Sequence, residues 1–103
     1  MSPADRIIIH PDPDLEDIIP GYLENRRKEL NELRTAVTGS DFETLRVLGH
    51  RMKGSGAGYG FKEITDIGRC IEERAKATDG SAIEAEIDRL EDYLQRVDVV
   101  YKE

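Results

Sequence analysis

The sequence is poor in cysteine and aromatic residues and has no long apolar run. Cys70 is the single cysteine among 103 residues, so neither an intrachain disulfide nor a zinc site built from several cysteines can form. We interpret Cys70 as a small buried residue rather than a reactive thiol. The Ile7–Ile9 stretch is as long as any uninterrupted apolar run, far short of the roughly 20 residues of a membrane span. We therefore expect no membrane segment and a cytoplasmic location.

Basic residues are scarcer than acidic ones, with 15 Lys and Arg against 22 Asp and Glu and a net charge of −7. Because nucleic-acid-binding proteins hold the phosphate backbone with clustered Lys and Arg, we expect no nucleic-acid partner. The charge is unevenly distributed, since residues 44–62 contain no acidic side chain. The basic residues in this segment surround His50 and are Arg46, Arg51, Lys53 and Lys62.

Helical periodicity dominates the sequence, and no alternating pattern typical of a β-sheet is readable. Residues 1–13 carry three prolines and are predicted to form an extended arm. We expect Ile7–Ile9 in this arm to tuck against the domain rather than form a sheet, with a pairing edge for dimerisation as the alternative. Residues 14–103 are predicted to form one domain that begins with a short helical turn.

Four amphipathic segments follow the arm, and short connections between them favour antiparallel neighbours. The predicted fold is therefore all-α, an up-down four-helix bundle. The first helix is predicted over Pro20–Val37, the third from Phe61 to about Thr78, and the fourth from Ile83 through Tyr101.

Two sequence pairs have the spacing of a capping box, in which a serine caps a helix and a glutamate three residues later bonds back. Ser40 with Glu43 predicts the start of the second helix, and Ser81 with Glu84 predicts the start of the fourth.

His50 lies on the second helix, about 140° from the centre of its apolar stripe, so its imidazole is predicted to face solvent. Gly54, one turn later, leaves the space beside the ring open, although a glycine inside a helix costs about 1 kcal/mol relative to alanine. Lys53 can bring its ammonium group near the imidazole, where it would stabilise a phosphorylated histidine. A neutral imidazole nitrogen is a nucleophile that can carry a transferable phosphoryl group.

The segment around His50 resembles a known family signature. The residues concerned are the run His50-Arg51-Met52-Lys53-Gly54-Ser55-Gly56, the later Gly60-Phe61 and the hydrophobic series from Ile64 to Glu72. Together they are similar to the signature of the histidine-containing phosphotransfer (HPt) domain. That family has H-x-x-K-G-S, a glycine ten residues after the histidine and a hydrophobic third helix. The family often has another small residue and then a bulky apolar one before the later glycine, whereas this chain reads Gly56-Ala57-Gly58-Tyr59-Gly60. The extra glycine is expected to loosen the end of the second helix.

The resemblance implies a phosphocarrier rather than an autonomous enzyme. His50 would be the phospho-acceptor, supported by Lys53, Gly54 and Ser55, and would exchange phosphoryl groups with an aspartate of receiver domains. The partners implied are response-regulator receivers or a hybrid histidine kinase, with the domain itself a monomer. No cofactor of its own is expected, because Mg²⁺ would be bound by the receiver. The residues expected to dock the partner are Arg46, Val47, Arg51 and Ala57.

Three other functions are compatible with a histidine on a helical surface, and the sequence disfavours each of them. A metal site is disfavoured because His50 has no second histidine at helical spacing and His10 lies in a proline-flanked acidic arm. An enzyme is disfavoured because no H-E-x-x-H, phosphate-binding glycine loop or G-x-S-x-G motif occurs. A non-phosphorylated adaptor with the same docking face is the main alternative, and the presence of both His50 and Lys53 counts against it.

Overall fold

The protein is described by a computed structural model over residues 5–101; residues 1–4 of the predicted arm and residues 102–103 of the predicted domain lie outside the described residues. The helices are α1 (Ile19–Thr38), α2 (Phe42–Ser55), α3 (Lys62–Lys76) and α4 (Gly80–Arg96). Helix α2 packs most extensively against α3, and α1 contacts both α2 and α4, which closes the bundle. The predicted all-α four-helix fold is confirmed.

Apolar side chains from all four helices form one core. Helix α2 contributes Leu45, Leu48 and Met52, which are all less than 5 % exposed. Their spacing of three and four residues places them on one face, so the opposite face of α2 is left to solvent. None of the helices in the described part of the chain is long and apolar enough to cross a membrane.

Aspartates, not the predicted serines, cap α2 and α4. Asp41 accepts a hydrogen bond from the Thr44 backbone N–H at 3.2 Å, and Asp79 accepts one from the Ala82 N–H at 3.1 Å. Both predicted capping boxes are therefore wrong by one or two positions. Ser40 lies before the cap in the left-handed region, with φ 54°, and Ser81 already belongs to the first turn of α4. Aspartate satisfies the free N–H groups of a helix start equally well.

A small parallel sheet joins the two ends of the described chain. Strand β1 (Ile7–Ile9) pairs with strand β2 (Val97–Val99), with Ile7 opposite Val97. The expectation that Ile7–Ile9 would not form a sheet is therefore wrong, although Ile7 and Ile9 do pack against the core as predicted. The prediction that α4 runs to Tyr101 is also wrong, since the backbone becomes extended at Val97. Branched side chains on both segments favour strand geometry once a partner is present.

Polar contacts reinforce this pairing of the chain ends. Arg6 forms an ion pair with Asp98 at 3.1 Å, and Arg96 donates to the Asp5 carbonyl at 2.7 Å. The arm also reaches the turn that follows α2, because Gly60 lies against Pro11 and has a left-handed backbone with φ 94°. The arm, the end of α4 and this turn thus form one contiguous region.

We expect the Tyr93→Phe substitution to raise the free energy of unfolding by about 1 kcal/mol, because a buried hydroxyl without a partner has lost its hydrogen bonds to water. The Tyr93 hydroxyl on α4 is buried and has no hydrogen-bond partner among the described residues, and burial raises its pKa to about 12. Urea unfolding would measure the change.

Tyr22→Phe is the matched control for Tyr93→Phe. The Tyr22 hydroxyl is hydrogen-bonded to Ser55 at 2.9 Å, so its removal is expected to lower stability by roughly 0.5–1.5 kcal/mol. A loss of stability in Tyr93→Phe as large as that in Tyr22→Phe would show that the Tyr93 hydroxyl is hydrogen-bonded in solution.

Candidate functional site

His50 projects from the middle of α2 on the side away from the core, and 64 % of its side chain is exposed. Its neighbours Leu48, Gly49 and Met52 are buried. His50 therefore faces solvent, as the sequence predicts. An exposed imidazole on a rigid helix is accessible to a second protein.

A buried carboxylate on α3 holds both His50 and Lys53. The side chain of Glu72 is only 6 % exposed, and its Oε2 lies 2.9 Å from His50 Nδ1. Its other oxygen, Oε1, lies 2.6 Å from Lys53 Nζ. Each carboxylate oxygen thus has one partner from α2, which is how a charge with so little exposure avoids the cost of an unpaired buried ion.

Glu72 is ionised in this arrangement. The hydrogen bond from Lys53 is the main cause that lowers the pKa of Glu72; burial opposes it, and the hydrogen bond to His50 adds to the lowering. An ionised carboxylate can only accept hydrogen bonds, so His50 Nδ1 must donate. In the neutral imidazole this leaves the lone pair on Nε2, the nitrogen not held by Glu72.

Two glycines bring α2 and α3 close enough for this contact. A Cβ atom on Gly49 would lie 2.7 Å from the Glu72 backbone nitrogen, and one on Gly68 would lie 2.5 Å from the Lys53 backbone nitrogen. Neither position can hold a side chain at this helix spacing, since both contacts are with backbone. The glycine pair therefore sets the distance between Glu72 and its two partners on α2.

Gly54 has the opposite environment. It is exposed, and a Cβ atom there would meet nothing within 4 Å. Packing does not require a glycine at this position, so the open space beside His50 that the sequence predicts is present. Ser55, by contrast, directs its hydroxyl to Tyr22 on α1 and makes no hydrogen bond to the His50 cluster. Ser55 therefore links α1 to α2 through this hydrogen bond.

The four residues predicted to dock a partner lie on α2 or directly after it. Val47 is partly exposed and Arg51 and Ala57 are exposed. Arg46 is held by Glu43, with Nη2 to Oε1 at 2.6 Å. All four side chains are therefore at least partly accessible, on or directly after the helix that carries His50.

Glu72 is the residue that the sequence prediction missed as part of the site. Glu72 is part of the sequence segment that resembles the family, but no function was predicted for it. It lies on the buried face of α3, directly after Ile71. A carboxylate on a buried stripe needs a partner, and that was the available signal. Within residues 5–101, no cluster of three or more His, Cys, Asp or Glu side chains could hold a metal ion.

We expect Gly68→Ala to lower the free energy of unfolding by roughly 1–3 kcal/mol, because the added methyl group forces α3 away from α2. Gly54→Ala is the matched control and should raise stability by up to about 1 kcal/mol, since it adds a better helix former in open space. Chemical denaturation of both variants tests this prediction. Equal effects of the two substitutions would contradict the close packing at Gly68.

Glu72→Gln should make stability less dependent on pH in the acidic range. The lowered pKa of Glu72 means that its ionised form stabilises the fold above glutamate's ordinary pKa, and that this contribution is lost as pH falls through the folded-state value. Between pH 6 and about pH 3, wild type is therefore expected to lose more stability than Glu72→Gln.

The measurement for Glu72 is the free energy of unfolding as a function of pH. The matched control is Glu73→Gln, which removes a neighbouring carboxylate whose side chain is 58 % exposed. The role of Glu72 is contradicted if wild type and Glu72→Gln have the same pH slope.

Comparison with protein families gives a match to the Hpt domain over residues 17–99. Searches of curated proteins and of solved structures gave no significant match. The matched range includes all four helices and both sides of the His50–Glu72 contact. The chain therefore belongs to the Hpt domain family, whose members have a phosphotransfer role in two-component and phosphorelay signalling.

Proposed function

We propose that this protein accepts a phosphoryl group on Nε2 of His50 from the aspartate of one receiver domain and donates it to another. The observation that carries the proposal is the hydrogen bond of 2.9 Å between His50 Nδ1 and the buried Glu72 carboxylate. It fixes the proton on Nδ1 and leaves an accessible lone pair on Nε2.

Hpt domains are phosphocarriers rather than enzymes, and they interact with receiver domains and histidine kinases. The proposed role of His50 is a specific form of this family function. Support comes from the exposed imidazole, the open space at Gly54 and the paired Lys53 and Glu72, which lie together on adjoining helices.

The phosphoryl transfer requires no proton to leave the protein. The lone pair of His50 Nε2 attacks the phosphorus of an aspartyl phosphate, an N–P bond forms, and the P–O bond to the aspartate breaks. The electron pair of that bond leaves with the receiver's carboxylate. Because Nδ1 keeps its proton, the imidazole ring gains a positive charge, and that charge faces the carboxylate of Glu72. The reverse reaction passes the phosphoryl group to the next receiver.

The role of Glu72 is electrostatic and positional. Its carboxylate holds the ring in one orientation before the reaction and stabilises the positive charge that develops during it. Lys53 keeps this carboxylate ionised through its own hydrogen bond. We propose that the receiver binds the Mg²⁺ that assists transfer, so this chain supplies the nucleophile and the docking face.

The docking face would be formed by the accessible residues around the ring. Gly54 and Ala57 present little bulk, and Val47 presents apolar surface. Arg51 adds a positive charge suited to the acidic phosphorylation site of a receiver. A partner could therefore approach along α2 with its aspartyl phosphate in line with Nε2.

Phosphotransfer from a receiver tests the proposal. A receiver domain phosphorylated with labelled acetyl phosphate is freed of the donor and mixed with wild type, His50→Gln or His10→Gln. Wild type and His10→Gln are expected to acquire label that is labile in acid and stable in base, and His50→Gln is expected to acquire none. His10 is the matched control because it is the other histidine and lies outside α2.

Two results would contradict the proposal. Label on His50→Gln would place the phospho-acceptor elsewhere. A folded wild-type protein that binds the receiver and never acquires label would indicate a non-phosphorylated adaptor instead.

A further inference from the structure

We propose that Arg46 binds the phosphoryl group on His50 and that it leaves its carboxylate partner, Glu43, to do so. This inference rests on the proposed function, because it concerns the phosphorylated state of His50. It assigns Arg46 a role in holding the transferred group, in addition to the contact with a partner expected from its position.

Arg46 lies one helical turn before His50. Residues four apart on a helix are neighbours, with about 5–6 Å between their Cβ atoms. Side chains on a helix also lean towards its N-terminus, so the His50 ring lies over the turn that contains Arg46. The flexible arginine side chain can therefore reach a group attached to Nε2.

Lys53, the other cation expected to neutralise the phosphoryl group, is already engaged. Its ammonium lies 2.6 Å from Glu72 Oε1, and Glu72 holds the Nδ1 side of the ring. The phosphoryl group would be on Nε2, away from this contact. Arg51, adjacent in sequence to His50, points about 100° around the helix, so it lies at the edge of the docking face and not directly beside the ring. Among the basic residues of α2, Arg46 is thus the one positioned for the phosphoryl group.

The present partner of Arg46 is easily exchanged. Arg46 bonds Glu43 through Nε at 3.1 Å and Nη2 at 2.6 Å, but 72 % of the Glu43 side chain is exposed. An exposed ion pair of this kind contributes little. A phosphoryl group carries close to two negative charges and three acceptor oxygens, and the planar guanidinium can bind two of them at once. The hydrogen bond and the charge of Glu43 are the main causes that raise the pKa of Arg46, and the charge of Glu72 makes a smaller addition in the same direction.

The equilibrium of phosphotransfer separates this role from docking. A docking residue changes the forward and reverse rates together and leaves their ratio unchanged, whereas a residue that binds the phosphoryl group shifts the ratio. The experiment mixes the domain with a receiver that has been phosphorylated by acetyl phosphate and freed of donor. The ratio of phosphorylated domain to phosphorylated receiver is then measured from both directions.

We expect Arg46→Gln to lower this equilibrium ratio by roughly three- to tenfold, and Arg46→Lys to restore much of it. Glu43→Gln should raise the ratio, because Arg46 is freed from its competitor. In an Arg46→Gln background, the effect of Glu43→Gln should largely disappear. Asp92→Asn is the matched control, because it also removes one negative charge from an aspartate or glutamate paired with an arginine. Asp92 lies on α4, which has little contact with α2. The Asp92→Asn substitution should therefore leave the equilibrium ratio unchanged.

The outcomes distinguish this inference from the proposed function. If Arg46→Gln slows both directions and leaves the ratio unchanged, Arg46 acts in docking and the inference is wrong. If Glu43→Gln changes the equilibrium ratio equally with and without Arg46, Arg46 does not leave Glu43 for the phosphoryl group, and that part of the inference is wrong. If wild type acquires no label on His50, the proposed function fails and the inference fails with it.

Discussion

The contact between α2 and α3 at Gly49 and Gly68 is the constraint on which the rest of the site depends. At this spacing the backbone of each helix touches the other, so the Glu72 carboxylate reaches His50 and Lys53 directly. Helices normally pack 8–10 Å apart according to the size of the side chains between them. The small residues at the contact therefore bring the polar groups of the two helices together.

A buried charge follows from this geometry. Glu72 would be costly if it were alone, because a carboxylate removed from water needs partners that replace its hydration. Lys53 and His50 supply them, one for each oxygen. The same arrangement orients the imidazole, so one set of contacts serves both the stability of the fold and the proposed chemistry. Gly54 has no such packing role, and its open surroundings leave the ring accessible.

The helical fold and the exposure of His50 were predictable because they depend on local spacing. Apolar residues three and four apart define the buried faces of the helices, and His50 lies opposite the buried face of α2. The caps were misplaced because serine and aspartate compete for the same role within a few residues. Strand β1 was missed because its partner, Val97–Val99, is about 90 residues away, and three-residue strands give a weak local signal.

The sequence by itself determined the four-helix bundle, the solvent-facing histidine and the open position beside it, since these follow from residue spacing within each helix and from the short connections between the helices. Only the tertiary structure decided that Glu72 holds the His50 ring, that Lys53 is bonded to Glu72 and that Ser55 is bonded to α1. Each of those contacts joins residues on different helices. Their selection depends on helix spacing and rotamer choice, which distances along the chain do not specify.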